Sequence, residues 1–545
     1  MAGSRSRSGC WTCRSKSAKK RCDQQRPSCG RCSRLDLLCD YTSRPSLAER
    51  RRAKENKTLA QSRASGGDDV MALTPMSLDV SISELQQPAS PVASCSLTLT
   101  NVDHEAIRYF RTDFAKLHHT KNPDYSLISL MFNTAQNDAM IMNMVLALGL
   151  QEMNLKRIES SASSERRSVM YYSSALRMLS ESLALQDTAK DLENLLTALW
   201  LMLLYEQQFG DPGCKAYSSH LQGVASLLRL RGERLLELPS GVMDDLRTSV
   251  VSNETHTESQ RPRISQYAAR VLVWIALLDA GAASVGIGGQ VNAAIFSLTL
   301  LPTPDDAAIR YEDPVKAFSV LHRFSNPLYR ISWGDAYPQS ELLDDVENRN
   351  IYSLLGSCVA LRFMIAQLAT LYRNASSEAS AKTTMIRKSL HEVSEQYCEL
   401  IDVADELSMK TDNSHRLVAN IRAIVPFYHA VVLDFMRVTA FNEPLNGRQR
   451  FALKSIMNLA YQSYKHGGDE ALLRVAWPLF LAVLETDDML HRDWILDRFT
   501  TLRKYGKNYE RAHRFLVDTI SRQQSIGRRV NLRDQLDKLD LFVLA

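Results

Sequence analysis

The sequence has little that would mark a secreted protein, a membrane span or an enzyme. Its N-terminus, MAGSRSRSGC, is polar and basic with no apolar stretch, so it does not read as a secretory signal. An unbroken run of about 18 apolar residues is missing, which predicts no membrane span. The most apolar pieces, LLTALWLMLLY at 195–205 and VLVWIALL at 271–278, are short and read as buried helices of a core. Catalytic signatures are also missing. His104-Glu105 lacks the second histidine of HExxH, and GIGG at 286–289 lacks both GxGxxG spacing and a preceding strand. Neither a GxSxG elbow nor a P-loop occurs. His118, His119 and His429 have no partners in sequence and are expected at the surface or satisfied in a core. Met140, Met142 and Met144, with Trp200, Trp274 and Trp477, are expected as packing. Outside one stretch cysteine is sparse: Cys95, Cys214, Cys358 and Cys398 are scattered. With no secretion signal, a disulfide framework is disfavoured and metal binding becomes the better reading.

What is present is concentrated at one end. The stretch GCWTCRSKSAKKRCDQQRPSCGRCSRLDLLCDY, residues 9–41, holds six of the ten cysteines, interleaved with Lys and Arg. Residues 1–60 carry sixteen Lys and Arg against five Asp and Glu, a net +11, whereas 61–100 and 101–545 each carry −3. A basic head on a nearly neutral body points to a polyanion as the partner of the head alone.

The cysteine spacing is Cys10-x2-Cys13-x8-Cys22-x6-Cys29-x2-Cys32-x6-Cys39. Two residues between thiolates let both sulfurs reach about 2.3 Å from one ion, so each CxxC is a metal grip. Two tetrahedral zinc ions need eight ligands, and no histidine lies nearby. The count closes if two thiolates bridge both ions. By symmetry of the half-motifs the bridges are Cys10 and Cys29. One zinc then takes Cys10, Cys13, Cys22 and Cys29; the other takes Cys29, Cys32, Cys39 and Cys10. A single four-cysteine zinc with two spare thiols is the alternative. Trp11, Leu35, Leu37, Leu38 and Tyr41 cannot build a core for forty residues, so metal ligation has to supply the folding free energy, on the order of 10 kcal/mol.

The segment resembles the DNA-binding module of the fungal binuclear zinc-cluster transcription factors. The resemblance is carried by GCWTCR, the basic run before the third cysteine, RPSCGRC, and the last cysteine followed by Asp40-Tyr41. It implies a short helix after each CxxC, the first reading a CGG-type triplet in the major groove of double-stranded DNA. It also implies that Pro27 shapes the turn between the halves. Six residues usually separate the second and third cysteines of this family; here RSKSAKKR makes eight. Two extra residues rotate a helix face by about 200°. Counted forward from Cys13, Lys16 takes the base-reading place. Counted back from Cys22, Lys19 does, with Lys20 beside it, and KKRC favours Lys19. Arg14, Arg21, Arg26, Arg31 and Arg34 are expected at phosphates or in solvent.

Residues 43–100 read as a linker, basic and then rich in Ser, Thr and Pro, with eleven Ser and Thr among the 41 residues of 60–100. Arg50, Arg51, Arg52 and Lys54 read as a nuclear import signal, a phosphate-tracking arm or plain solvated charge. Leu47 and Leu59 form no heptads, so the linker does not support a dimer, although a homodimer through another surface stays open.

From Asn101 the apolar period is helical. The stripes are Ile107, Phe110, Phe114 and Leu117, behind caps at Asn101 or Asp103; Tyr172, Leu176, Leu179 and Leu183; and Leu221, Val224 and Leu228, closed by Gly232 as a C-cap. Residues 101–545 thus read as one large all-α unit, with two subdomains as a variant. EAIRYFRTDFAKL, YYSSALRMLSESLA, LLYEQQFGDPGCKAYSSHLQGVASLLRLRG and VAWPLFLAVLETDDMLHRDWILDRF look like the fungal-specific transcription factor regulatory domain. That resemblance implies a unit that restrains activation, binds a coactivator or corepressor, or senses a small molecule. The C-terminal DQLDKLDLFVLA suits either an amphipathic activation segment or a last piece packed on the domain.

The expectation is a small zinc-stabilised binuclear cluster module at 1–42 and a large all-α domain at 101–545, forming a nuclear, non-enzymatic DNA-binding regulator with two Zn2+ ions. The competing reading is a zinc-dependent protein-interaction adaptor in which the insertion has abolished base reading.

Overall fold

The computed structural model describes residues 10, 22–26, 28–35, 39, 99–156, 162–184, 189–235, 264–298, 300–301, 309–310, 314–411, 415–536 and 539–544. The chain divides into two compact units, Met1–Val92 and Ala93–Ala545. The first unit contributes one described helix, α1 (Gly30–Arg34). The second is built from α2 (Asn101–Tyr109), α3 (Ala115–His118), α4 (Leu127–Ala135), α5 (Ala139–Lys156), α6 (Ala162–Ala184), α7 (Ala189–Phe209) and α8 (Lys215–Leu235). It continues through α9 (Gln266–Ser284), α10 (Gln290–Leu298), α11 (Pro314–Ser325), α12 (Leu328–Trp333), α13 (Gln339–Glu347), α14 (Arg349–Arg373), α15 (Ala379–Gln396) and α16 (Cys398–Glu406). It ends with α17 (Arg416–Thr439), α18 (Gly447–Leu472), α19 (Ala476–Glu485), α20 (Met489–Leu502), α21 (Lys507–Ile526) and α22 (Leu532–Leu536). A two-residue antiparallel pair, β1 (Leu300–Leu301) with β2 (Ile309–Arg310), is too small to alter the all-α class.

The first helix of the body shows how local chemistry sets a boundary. Thr100, not Asn101, is its N-cap; the Thr100 backbone N–H and hydroxyl each donate to the Asp103 carboxylate at 2.8 Å. Arg167 on α6 donates to the same carboxylate at 2.8 Å, tying cap to core. The helix runs into a π turn, Phe110–Phe114, whose two phenyl rings stack at 4.6 Å. Phe110, Phe114 and Leu117 are buried as the stripe predicts, with Ile107 half-buried.

Two stripes end differently from expectation. Leu183 is half-exposed, so the buried face of α6 ends at Leu179. Gly232 is not a C-cap: α8 continues through it to Leu235. A helix interior tolerates one glycine at about 1 kcal/mol, a cost that one further turn can absorb.

The centre of the body is made by α9, α14 and α17. Helix α14 packs on α9, α11, α15 and α17, and α17 packs on α18 and α19. Each of the three is long and apolar enough, by length and composition, to cross a membrane. No unbroken apolar run announces this, because charged residues interrupt each one. Their apolar windows are 72%, 72% and 78% buried by neighbouring helices. The interrupting charges have partners across the helix packing. Asp279 on α9 accepts from the backbone N–H groups of Gly289 and Asn292, each at 2.8 Å. Arg422 on α17 donates to Gln462 at 3.0 Å and to the Ser408 carbonyl at 2.9 Å. Arg437 pairs with Glu485 and donates to the Val530 carbonyl at 2.8 Å. Buried charges persist only where such partners exist.

The GIGG stretch is the turn between α9 and α10. Gly286 and Gly289 adopt φ of +92° and +98°, where side chains are strained. The turn presents its Gly289 N–H to Asp279, so it holds a carboxylate of its own chain.

The C-terminal residues resolve an ambiguity of the sequence. Phe542, Val543 and Leu544 are 2%, 1% and 3% exposed. The Phe542 ring sits among Phe480 and Phe515, with centroids at 5.5 and 5.4 Å. The backbone is held as well. Leu541 N–H donates to the Pro212 carbonyl at 2.8 Å, and Arg362 donates to the Leu544 carbonyl at 2.8 Å. The Arg362 guanidinium lies 3.9 Å from the centroid of the Trp477 ring. The tail is the packed alternative.

The histidine expectation fails at two positions. His119 and His429 are buried, yet the Nε2 atom of each has no hydrogen-bond partner among the described residues. His118 lies 3.6 Å from Glu152 and is half-buried. Met140 and Met144 are core, as are Trp200 and Trp477.

Candidate metal centre

In the N-terminal unit the thiols themselves form the buried cluster. Cys10, Cys29 and Cys32 are fully buried, Cys22 nearly so, and Cys39 packs against them. Leu35, the described apolar side chain beside them, is exposed. Among the described residues, sulfur thus fills the buried positions of the module.

The spacing of the sulfurs is informative. Cys10 Sγ lies 3.7 Å from Cys29 Sγ, 3.8 Å from Cys32 Sγ and 3.9 Å from Cys22 Sγ. A disulfide would bring two sulfurs to about 2.05 Å, so none is formed here. Zn–S bonds of about 2.3 Å in a tetrahedron place neighbouring sulfurs about 3.8 Å apart. The observed separations are close to that length. The sulfurs of Cys10, Cys29, Cys32 and Cys39 all lie within 4.8 Å of one another. Cys22, Asp23 and Cys29 form a second group within the same limit, so Cys29 belongs to both. Cys10 reaches towards both as well, through Cys32 on one side and Cys22 on the other. The four-sulfur group of Cys10, Cys29, Cys32 and Cys39 is a donor set that fits zinc.

Local folding aims backbone N–H groups at several of these sulfurs. Cys29 is the N-cap of α1, and its Sγ accepts the Cys32 N–H at 3.4 Å. The Cys29 N–H donates to Cys39 Sγ at 3.2 Å, and this bond is the main cause holding the Cys39 thiol below its ordinary pKa. The Gln24 N–H donates to Cys22 Sγ at 3.4 Å. Backbone donors aimed at sulfur favour the charged form, which is the metal-binding form.

Asp23 is the residue that sequence reasoning missed. Its carboxylate accepts the Gly30 N–H at 2.9 Å and the Gln25 N–H at 3.3 Å, joining the third-cysteine loop to the start of α1. A Cβ at position 30 would lie 2.7 Å from Asp23 Oδ2, so the glycine of CGRC makes room for this contact. The available signal was an acid next to a ligand cysteine, seven residues before a helix start. Helix α1 begins inside its CxxC rather than after it. Cys13, Pro27, the candidate base readers Lys16, Lys19 and Lys20, and Arg14, Arg21, Arg50, Arg51, Arg52 and Lys54 lie outside the described residues, as does the linker at 43–98. Arg26 and Arg34 are exposed and Arg31 half-buried, the last two on α1.

Residues 8–48 match the model of the fungal Zn(2)-Cys(6) binuclear cluster domain, and residues 105–520 match that of the fungal specific transcription factor domain. The chain belongs to the fungal specific transcription factor family. The factor is also similar to the transcriptional regulatory protein UME6 of Saccharomyces cerevisiae (strain ATCC 204508 / S288c). The two are 43% identical over 56 residues, 10% of this chain and 6% of that protein. No solved structure matches the chain. Both matched families are those of fungal transcription factors, and the cluster domain implies zinc as cofactor and DNA as partner.

In this factor Asp23→Ala is expected to cost the module about 1 kcal/mol, the usual loss when a capping carboxylate is removed. Chelator competition on the purified protein should show zinc released roughly fivefold more readily. An unchanged competition curve would mean that Asp23 merely accompanies the fold.

Proposed function

We propose that the factor binds two zinc ions through Cys10, Cys13, Cys22, Cys29, Cys32 and Cys39, with Cys10 and Cys29 shared between them. The module so formed reads a CGG-type triplet in double-stranded DNA, in the nucleus, at genes transcribed by RNA polymerase II. Its layout is a cluster module at 1–42, a linker at 43–100 and a helical regulatory domain at 101–545. The observation that carries the reading is the position of Cys10, an edge-length of a zinc tetrahedron from Cys22, Cys29 and Cys32 at once. A single four-sulfur zinc would leave no reason for one thiol to stand at that distance from members of two groups.

Lys19 is assigned to the base edge, with Lys16 and Lys20 as its neighbours, because the ligand-bearing loop from Cys22 onward is fixed by Asp23 and the count back from Cys22 is the anchored one. Arg14 and Arg21 are assigned to phosphates, together with Arg31 and Arg34, which occupy the last turn of α1. Arg50, Arg51, Arg52 and Lys54 are assigned to nuclear import. The helical body is assigned the regulatory role, with a coactivator or corepressor as its partner and a homodimer as the second surface it could offer.

The test is a mobility shift with the full chain. Lys19→Ala should weaken binding to a CGG-containing duplex by one to two orders of magnitude, since a guanine-reading pair discriminates by about 1–3 kcal/mol. Binding to random DNA should fall far less. An equal loss on both duplexes would place Lys19 on the backbone. Wild-type binding that is weak, steeply salt-dependent and indifferent to sequence would instead establish the adaptor reading.

A further inference from the structure

A cavity of about 170 Å³ lies inside the helical body. A space of about 150 Å³ is enough for a benzene ring, so this one takes a ring with a short substituent. Trp200, Leu204, Leu277 and Phe427 supply apolar walls. Lys156 and Lys504 also line it and are exposed, so it communicates with solvent on their side.

Its polar lining is unfinished. The His119 Nε2, the Trp274 Nε1 and the Arg474 Nε are each buried and without a hydrogen-bond partner among the described residues. The three come from separate parts of the chain: the segment after α3, helix α9, and the turn between α18 and α19. They stand together nonetheless. The His119 and Trp274 rings meet edge-on at 4.9 Å, and an Arg474 nitrogen donates to the His119 carbonyl at 3.4 Å. Two of the three atoms, the indole N–H and the guanidinium N–H, are obligate donors. Buried donors usually find acceptors, and a cluster of unmet ones at a cavity wall marks a place for an acceptor from outside the chain.

The electrostatics select its charge. Arg474 makes no ion pair among the described residues; it donates to the backbone carbonyls of Lys116 and His119. Glu152 is the one carboxylate in the lining, and it is engaged by the Tyr109 hydroxyl at 3.0 Å and by His118 at 3.6 Å. Burial first, then the fields of His118, Arg474, Arg416 and Arg270, hold His119 down to a pKa of about 3, so it is neutral. The field of Glu470 also reaches Arg474, but that carboxylate lies 3.6 Å from Lys156. A carboxylate from outside would offer acceptors to both donors and a direct charge partner to Arg474.

We propose that this cavity binds a small monocarboxylate with an apolar body about the size of one six-membered ring, its carboxylate received by Arg474 and the Trp274 N–H. As an effector site it rests on the regulatory role proposed for the body. As a binding site it is tested without DNA, so its failure and the failure of the DNA-binding reading are separate results.

The test uses zinc-loaded full-length protein titrated calorimetrically with phenylacetate, its amide phenylacetamide and its amine 2-phenylethylamine. Phenylacetate should bind saturably with one site, at least about tenfold tighter than the amine, as a charge-assisted pair predicts. Arg474→Gln should erase the preference of acid over amide. Ala423→Phe, which places a ring in the cavity from α17, should abolish binding; Leu204→Phe is the second filling variant, and a melting curve accompanies each. The proposal is overturned if none of the probes binds saturably or if the amine binds as well as the acid. Undiminished binding in a folded filling variant overturns it too. Mobility shifts on the same samples report independently on the zinc module.

Discussion

Cys29→Ser should strip both zinc ions from the N-terminal module and abolish DNA binding, whereas Cys39→Ser should remove only one ion at first. The asymmetry follows from the geometry. Cys29 belongs to both groups of donors, and Cys39 to one. Cys29 is also the N-cap of α1, so its loss removes the sulfur that accepts the Cys32 N–H. Among the described residues the buried cluster of this unit is made of cysteines, so metal rather than packed hydrocarbon is expected to hold its shape. The free energy at stake is that of a structural zinc site, on the order of 10 kcal/mol, larger than the net stability of many whole domains. Native mass spectrometry of the intact chain would count the ions, and a mobility shift would follow function. Two ions retained by Cys29→Ser, or identical zinc loss in the two variants, would refute a shared sulfur at position 29. Chelation of the wild-type protein should reproduce the Cys29→Ser phenotype and leave the helical body folded, since no described thiol group outside the module is spaced for metal.

The second large effect lies at the other end of the chain. Deleting residues 539–545 should unfold the helical body rather than silence it. Burying each of Phe542, Val543 and Leu544 contributes about 1.5–3 kcal/mol, and the void they leave adds to the loss. Their removal also takes away the Leu544 carbonyl from Arg362, a buried guanidinium whose pKa burial has already pulled down to about 9. An unmatched charge in that setting costs several kcal/mol more. Together these approach the whole 5–15 kcal/mol by which a folded domain is ordinarily stable. The single change Phe542→Ala should cost about 3–5 kcal/mol. Protein level, melting temperature and reporter output should be measured on the same cells. Falling output at normal protein level and unchanged melting would return the tail to the role of an activation segment.

How much of this was legible beforehand depended on how local the constraint was. The grouping of the described cysteines could be read because sulfur–metal chemistry writes its geometry into short spacings. The shared role of Cys10 and Cys29 follows from counting ligands and stands as proposed above. The helices of the body were legible where an apolar stripe repeats, as at Phe110, Phe114 and Leu117. Their ends were less so: Thr100 displaced Asn101 as a cap because a carboxylate three residues on and an arginine on another helix settled the matter. Gly232 misled because a C-cap depends on backbone conformation, and here the helix simply continued. His119 could not be read at all. Its unmet nitrogen is a property of where α9 and the α18–α19 turn arrive, hundreds of residues away. The tail was ambiguous for a different reason. An acidic, bulky sequence suits a groove on another protein and a groove on its own body equally well, and only the presence of Arg362, Phe480 and Phe515 around it decides.

The clasp between Asp23 and Gly30 bears on the two surplus residues that precede Cys22. It fastens the chain downstream of that cysteine, so slack fed in from the N-terminal side has nowhere to go beyond it. On the base-reading role proposed above, a variant shortened by two residues between Cys13 and Cys22 would be a retuned reader on an unaltered mount.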